Sequence, residues 1–280
     1  MKKKLLFIKL GGSILTDKTV EKSVQYDVLR SLVSQIKQIL EERPNLQLVI
    51  GHGQGSFAHY PAKKYRIHEG FVDPDAKIGC AVTLDVVAQL NRIIITEMLV
   101  QKLPAVSLFP SQICTARDGT PQSTYLDTLE EYLRLDLIPV MTGDVIVDAK
   151  NGSTIWSADF LLPYFARSLR TKGWQIDSII HVTKTPGVYK DVTHLERGVF
   201  DFISPQLFDS IAHTLGSAEG VDITGGMLEK VSHAVELAQD GIETIIVNND
   251  DNNLAKAVCE GIVKGTKIIS QSSEEVPLQV

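Results

Sequence analysis

The chain has 280 residues, 44% hydrophobic and 22% charged, with 20 glycines and 11 prolines. This composition excludes a disordered, collagen-like or coiled-coil protein and leaves room for a substantial core. The net charge is −6, from 28 Lys and Arg against 34 Asp and Glu; with no basic block beyond the opening lysines, nucleic acid is not expected as the main ligand.

Residues 4–10 form a short apolar run, read as a strand ended by Gly11-Gly12. Lys9 stops the apolar stretch well short of the ~7–15 residues of a secretory signal. No apolar run approaches the ~18–20 residues of a membrane helix, so a cytoplasmic protein that engages no membrane is expected. Val28, Leu29, Leu32, Val33, Ile36, Ile39 and Leu40 recur at helical spacing and predict a helix over 24–42, broken by Pro44-Asn45. Residues 46–50 read as a buried strand entering a second glycine-rich turn. A long helix is predicted over 80–99; being apolar on more than one face, it is buried on more than one side or sits at a subunit interface. Strands are expected at 105–109, 137–141, 178–183 and 243–248, with a hairpin between 145 and 156 around Asn151-Gly152. Helices are expected over 158–170, kinked by Pro163, and over 205–215, 226–239 and 253–260. Such alternation argues for an α/β fold: a mostly parallel sheet with helices on both faces. Cys80, Cys114 and Cys259 are odd in number and far apart, so they read as reduced thiols rather than a disulfide or zinc framework.

Four segments can carry chemistry. Ile8-Lys9-Leu10-Gly11-Gly12-Ser13 ends a strand in paired glycines, where backbone N–H groups can reach phosphate oxygens and Lys9 adds a point charge; two glycines alone fit a plain turn equally well. Gly51-His52-Gly53-Gln54-Gly55-Ser56-Phe57-Ala58-His59 follows the strand 46–50 and is neither a Walker A loop nor a good dinucleotide fingerprint. Two phosphate-type turns suggest two phosphate-bearing ligands; His52 reads best as a packed or solvated loop residue, His59 as a phosphate ligand. In Asp222-Ile223-Thr224-Gly225-Gly226-Met227-Leu228-Glu229-Lys230, Thr224 can cap a helix whose glycine-lined start stays open to an anion. Ser157-Ala158-Asp159 opens another helix, where an acidic residue is favourable in any case.

Taken together, these segments resemble the amino acid kinase superfamily, over nearly the whole chain from Ile8 to Ile268, and within it the members that phosphorylate isopentenyl phosphate. Ile14-Leu15-Thr16-Asp17-Lys18 after the first turn, the loop Gly53 to His59, Gly143-Asp144-Val145 and Asp222 to Met227 carry the likeness in order and spacing. The resemblance implies one domain over 1–280, a three-layer αβα sandwich whose N-terminal part holds the phosphate acceptor and whose part from about residue 175 holds ATP. It implies that Lys9 bridges the phosphates, that Gly11, Gly12 and Ser13 form the ATP phosphate turn, and that Lys18 reaches the transferred phosphate. Gln54, Gly55, His59 and Gly143 fall at acceptor positions, with Gly55 also facing ATP. Asp159 organises the lysines, Lys230 stands on the nucleotide side, and Thr183, Gly187, Gly225 and Gly226 complete the ATP site. ATP and Mg²⁺ are implied as cofactors, the metal riding on the ATP phosphates without dedicated protein ligands, and a homodimer is expected. The helix 80–99 is expected to give both an apolar wall for the isoprenoid tail and part of the dimer contact.

There are departures from the family pattern. Gln54 and Ala58 stand where glycines are usual, and Lys184 and Pro186 replace two acidic residues beside the nucleotide. Rival readings are a kinase of another phosphate or phosphonate, fosfomycin-type or uridylate, an amino-acid kinase, or a non-catalytic nucleotide-binding relative.

Overall fold

A computed structural model describes residues 3–17, 19–215 and 225–270; Lys18 and Asp222 to Thr224, singled out in the sequence, lie outside them. The strands are β1 Lys4–Leu10, β2 Leu46–His52, β3 Ala105–Ser107, β4 Cys114–Arg117, β5 Thr120–Thr124, β6 Ile138–Thr142, β7 Asp144–Asp148, β8 Gly152–Trp156, β9 Ile176–Val182, β10 Phe202–Ile203, β11 Glu243–Val247 and β12 Gly265–Ile268. The helices are α1 Gly12–Leu15, α2 Tyr26–Glu42, α3 His59–Lys64, α4 Ala76–Val100, α5 Pro110–Ile113, α6 Asp127–Arg134, α7 Ala158–Thr171, α8 Pro205–Leu215, α9 Gly225–Gln239 and α10 Asn253–Cys259.

Eight strands form one sheet in the order β10-β12-β11-β9-β1-β2-β6-β3, and β5-β4-β7-β8 form a smaller one. Among the described pairings of the large sheet only β11 with β12 is antiparallel, so the mostly parallel expectation holds. Strand alternation divides the core. Leu6, Ile8 and Leu10 of β1 pack with residues of α2, α4 and α10, whereas Leu5 and Phe7 pack with α6 and α7 on the opposite face. The sheet is thus sandwiched between helical layers. A further cluster joins Val231, Ala234 and Val235 of α9 to Ile246 and Ile268.

The expected elements are present within about four residues of their boundaries. Pro163 lies inside α7, which nevertheless runs unbroken from Ala158 to Thr171, so the expected kink does not interrupt it. The β7–β8 hairpin exists, but its turn is tighter in chemistry than Asn151-Gly152 suggested. The Asp148 carboxylate accepts the N–H groups of Lys150 and Asn151, and only Gly152 takes the positive φ, +86°. α4 corrects the membrane reading: with mean hydropathy 1.6 it is apolar and long enough to cross a bilayer, its isolated charges notwithstanding. Here it packs on α2, α3, β3, β6 and β7, while Ile78, Val82, Leu99 and Val100 stay exposed.

Candidate active site

In a parallel sheet the carboxyl ends of the strands lie on one edge, and ligands bind outside them. Here β6, β2, β1, β9 and β11 are consecutive neighbours, and the residues that follow the last four, Gly53, Gly11, Thr183 and Asn248, line a cleft of about 870 Å³. The cleft also takes in Lys9, Gly12, Ser13, Gln54, Gly55, His59, Asp159, Gly226 and Lys230. Sequence-distant candidates are therefore brought together by strand order.

The two glycine turns touch backbone to backbone. A Cβ on Gly12 would lie 2.5 Å from the Gly55 nitrogen, and one on Gly53 would lie 2.6 Å from the Gly12 nitrogen, so neither position admits a side chain. Gly55 is excluded from substitution twice over, by φ +50° and by a Cβ that would meet Thr16 Oγ1 at 2.0 Å. Thr16, 2% exposed, fastens the turns: its hydroxyl donates to Gly12 O at 2.8 Å and accepts the Ser56 N–H at 2.9 Å. The amides of Gly12 and Ser13 open α1 and are not spent on its own ladder. Two anions bound to these turns would be held side by side.

Charge is concentrated at one end of β1. Asp159 sits in the first turn of α7, whose N-cap Ser157 accepts the Phe160 N–H. Its Oδ2 accepts from Lys9 Nζ at 2.5 Å and its Oδ1 from Lys230 Nζ at 2.5 Å. Both lysines are 6% exposed. Burial opposes ionisation of Asp159, but Lys9 and then Lys230 hold its carboxyl well below the usual range. Burial pulls Lys9 down to about 8, with Asp159 opposing and Lys230 reinforcing. Asp159 thus bridges the two lysines. His181, not singled out in the sequence, pairs with Lys9 across β1 and β9 and places Nδ1 3.2 Å from Asp159 Oδ1. The signal for it was a histidine set inside the apolar run Ile179 to Val182.

On the side expected to take the acceptor, His59 opens α3 and is exposed to the cleft. Gln54 donates its side-chain amide to the Gly143 carbonyl, joining two of the expected acceptor residues; Gly143 itself stands behind the cleft lining. The next residue, Asp144, is fully buried, and its carboxylate accepts the Ser111 and Val145 N–H groups, each at 2.9 Å. His52 is the packed residue expected: Nδ1 lies 3.1 Å from Gly53 O, Nε2 lies 3.1 Å from Asn91 Nδ2 of α4, and burial lowers it to about 4. No residue of α4 lines the cleft; among the described residues α4 reaches the site from behind, through Asn91 on His52 and through its packing on α3, which His59 opens.

On the side expected to take the nucleotide, Thr183, Lys184, Thr185, Met227, Asn248, Asn249 and Asp250 line the cleft; the last three escaped sequence reading because nothing local marks them. Gly187 lies off the cleft, where a Cβ would meet Thr266 Oγ1 at 2.6 Å, and Gly225 begins α9. Among the described residues no group of three or more His, Cys, Asp or Glu is placed to hold a metal, and Asp159 spends both oxygens on lysines. The donors present among the described residues do not fit a protein-held Mg²⁺.

The amino acid kinase family model matches residues 4–248. The chain is 33% identical to the isopentenyl phosphate kinase of Methanocaldococcus jannaschii over 94% of its own length and 98% of the relative's. It is 30% identical to that of Methanothermobacter thermautotrophicus over the same shares. A solved isopentenyl phosphate kinase superposes with TM-score 0.78 at 27% identity, covering 94% of this chain and all of the other.

Proposed function

The chain belongs to the amino acid kinase family, and from that premise we propose that it is a phosphotransferase that moves the γ-phosphoryl group of ATP onto the phosphate of isopentenyl phosphate, giving isopentenyl diphosphate and ADP. The observation that carries this reading is the backbone contact between the two glycine turns beside the Lys9–Asp159–Lys230 cluster. It offers adjoining seats for two phosphates with cations between them.

The chemistry asks little of a general base. A phosphate monoester has a second pKa of ~6 and is already anionic at neutral pH. What must be overcome is repulsion between acceptor and donor, by alignment and by charge that is in place beforehand. In this reading Gly11, Gly12 and Ser13 bind the donor phosphates through their amides, and Gln54, Gly55, His59 and Gly143 form the acceptor side. Lys9 and Lys230 meet the charge that develops on the transferred group, Asp159 holds them in place, and Lys18 is given a contact with the transferred phosphate by the resemblance alone. Magnesium belongs to the reading only as part of the nucleotide, neutralising its phosphates. The acceptor part and the part from about residue 175 that holds ATP act as one domain, in a reducing cytoplasm that suits three unpaired cysteines. Exposed Ile78 and Val82 on α4 support a homodimer; a monomer by sedimentation at micromolar concentration would exclude it.

His59 separates this reading from its rivals. ADP release is measured with isopentenyl phosphate, uridylate, fosfomycin and acetylglutamate as acceptors; isopentenyl phosphate is expected to be used best. His59→Ala is expected to lose most of that activity with ATP binding nearly unchanged, and His59→Gln, which keeps an N–H donor, to retain more. Unchanged acceptor KM and kcat in His59→Ala would remove it as a phosphate ligand.

A further inference from the structure

His181 is a buried titratable residue that the mechanism above leaves without a task. It lies on β9 in register with Lys9 and is 2% exposed. Its Nδ1 lies 3.2 Å from Asp159 Oδ1, yet it completes no hydrogen bond to a described atom. Charged groups face it from three elements: Lys9 from β1, Asp159 from α7 and Lys230 from α9. From β11 its register partner is Ile246, which brings no charge. Burial, ahead of these neighbours, lowers the imidazole to about 4, so it is neutral at physiological pH. Beside a carboxylate, the neutral tautomer with its hydrogen on Nδ1 is the one that attracts.

We propose that His181 is a positioning residue, a reserve donor that takes up Asp159 Oδ1 when Lys230 turns from it to the nucleotide phosphates. The inference rests on the phosphotransfer reading, because phosphate must draw the lysine away. In the free protein the two ammonium donors occupy the carboxylate at 2.5 Å, and the weaker neutral donor waits at 3.2 Å. Once the lysines serve phosphate, Asp159 would be a buried charge short of partners, which is costly and invites it to move. A neutral imidazole beside it holds the carboxylate in place without competing for it while the lysines are home; a cation there would compete.

The test compares wild type, His181→Leu and His181→Asn, whose amide nitrogen can stand near the position of Nδ1. ATP affinity is measured by calorimetry, turnover by ADP release, and folding by melting curves. His181→Leu is expected to weaken ATP binding and to lower kcat about 10- to 100-fold, the scale of one hydrogen bond to a charged group. Its KM for isopentenyl phosphate should stay within about twofold, and His181→Asn should recover most of both losses. Wild-type ATP affinity and kcat in His181→Leu would overturn the proposal. So would equal losses in both variants that follow their melting temperatures, which is the mark of a packing role. If the wild-type protein turns over no isopentenyl phosphate, the substrate reading fails by itself. The ATP-affinity arm then still decides on His181, weaker binding in Leu than in Asn supporting it and equal binding overturning it.

Discussion

Lys9 is held by opposing forces that fix its pH behaviour. Its ammonium touches Asp159 at 2.5 Å, but desolvation outweighs that attraction and Lys230 adds repulsion, leaving it at about 8. In the free protein Lys9 therefore begins to lose its charge just above neutrality. Because kcat/KM reports ionisations of the free enzyme, kcat/KM for ATP is expected to fall on an alkaline limb near pH 8. Bound phosphate favours the charged form, so kcat should hold to higher pH. The stability sign is opposite. Between about 8 and the unfolded value of 10.5 the unfolded chain binds more protons at this site, so the Lys9 contribution rises with pH across that window. Lys9→Ala should remove the limb and lower kcat by ~10²–10³, the usual loss for one such electrostatic contact. A pH–rate profile of both proteins checks this, and a limb that persists in Lys9→Ala would belong to another group.

At the scale of elements, the two glycine turns are set by a fastening that is not itself charged. Thr16 closes α1 and reaches Ser56 at the far side of the second turn. Thr16→Val keeps the shape but leaves the buried Ser56 N–H and Gly12 O without this partner, at about 1–3 kcal/mol. The expected result is a lower melting temperature with a larger fall in kcat than in affinity for either substrate, since separation of the seats matters most in transfer; unchanged kcat would show that the turns align without it. Much of this level was legible in the sequence. Long amphipathic helices and apolar strands such as β1 announce themselves because burial on a regular element imposes its period. Short elements did not: the β4–β5 hairpin escaped although Asp118 and Gly119 both take positive φ, +55° and +76°, the conformation that Asp-Gly turns favour. The register that sets His181 beside Lys9 is a long-range pairing, and no local period encodes it.

Across the whole molecule, the cleft draws on β1, β2, β9, β11, α7 and α9. The residues that matter, from Lys9 to Lys230, are adjacent only because β1 lies between β2 and β9 in the strand order. Motif order hinted at this assembly; the sheet order that produces it was not readable from spacing. Such a site would couple nucleotide binding to global stability, because ATP seated in this cleft would meet elements from both ends of the chain and the unfolded chain offers no equivalent. Ligand at ~100 times its Kd adds about 2.7 kcal/mol by mass action. For a chain of this order, at ~2–4 °C per kcal/mol, that is a rise of roughly 5–10 °C in melting temperature. Lys230→Met should keep the apolar stem of the side chain against α9 yet lose most of the rise, because the charge that meets the phosphates is gone. Its own unliganded melting point should fall, since Asp159 is then left with Lys9 as its only ammonium partner among the described residues. Scanning calorimetry with and without ATP measures both quantities in one series. An ATP-dependent rise of the same size in Lys230→Met would place the nucleotide away from this cluster, and with it the transferred phosphate.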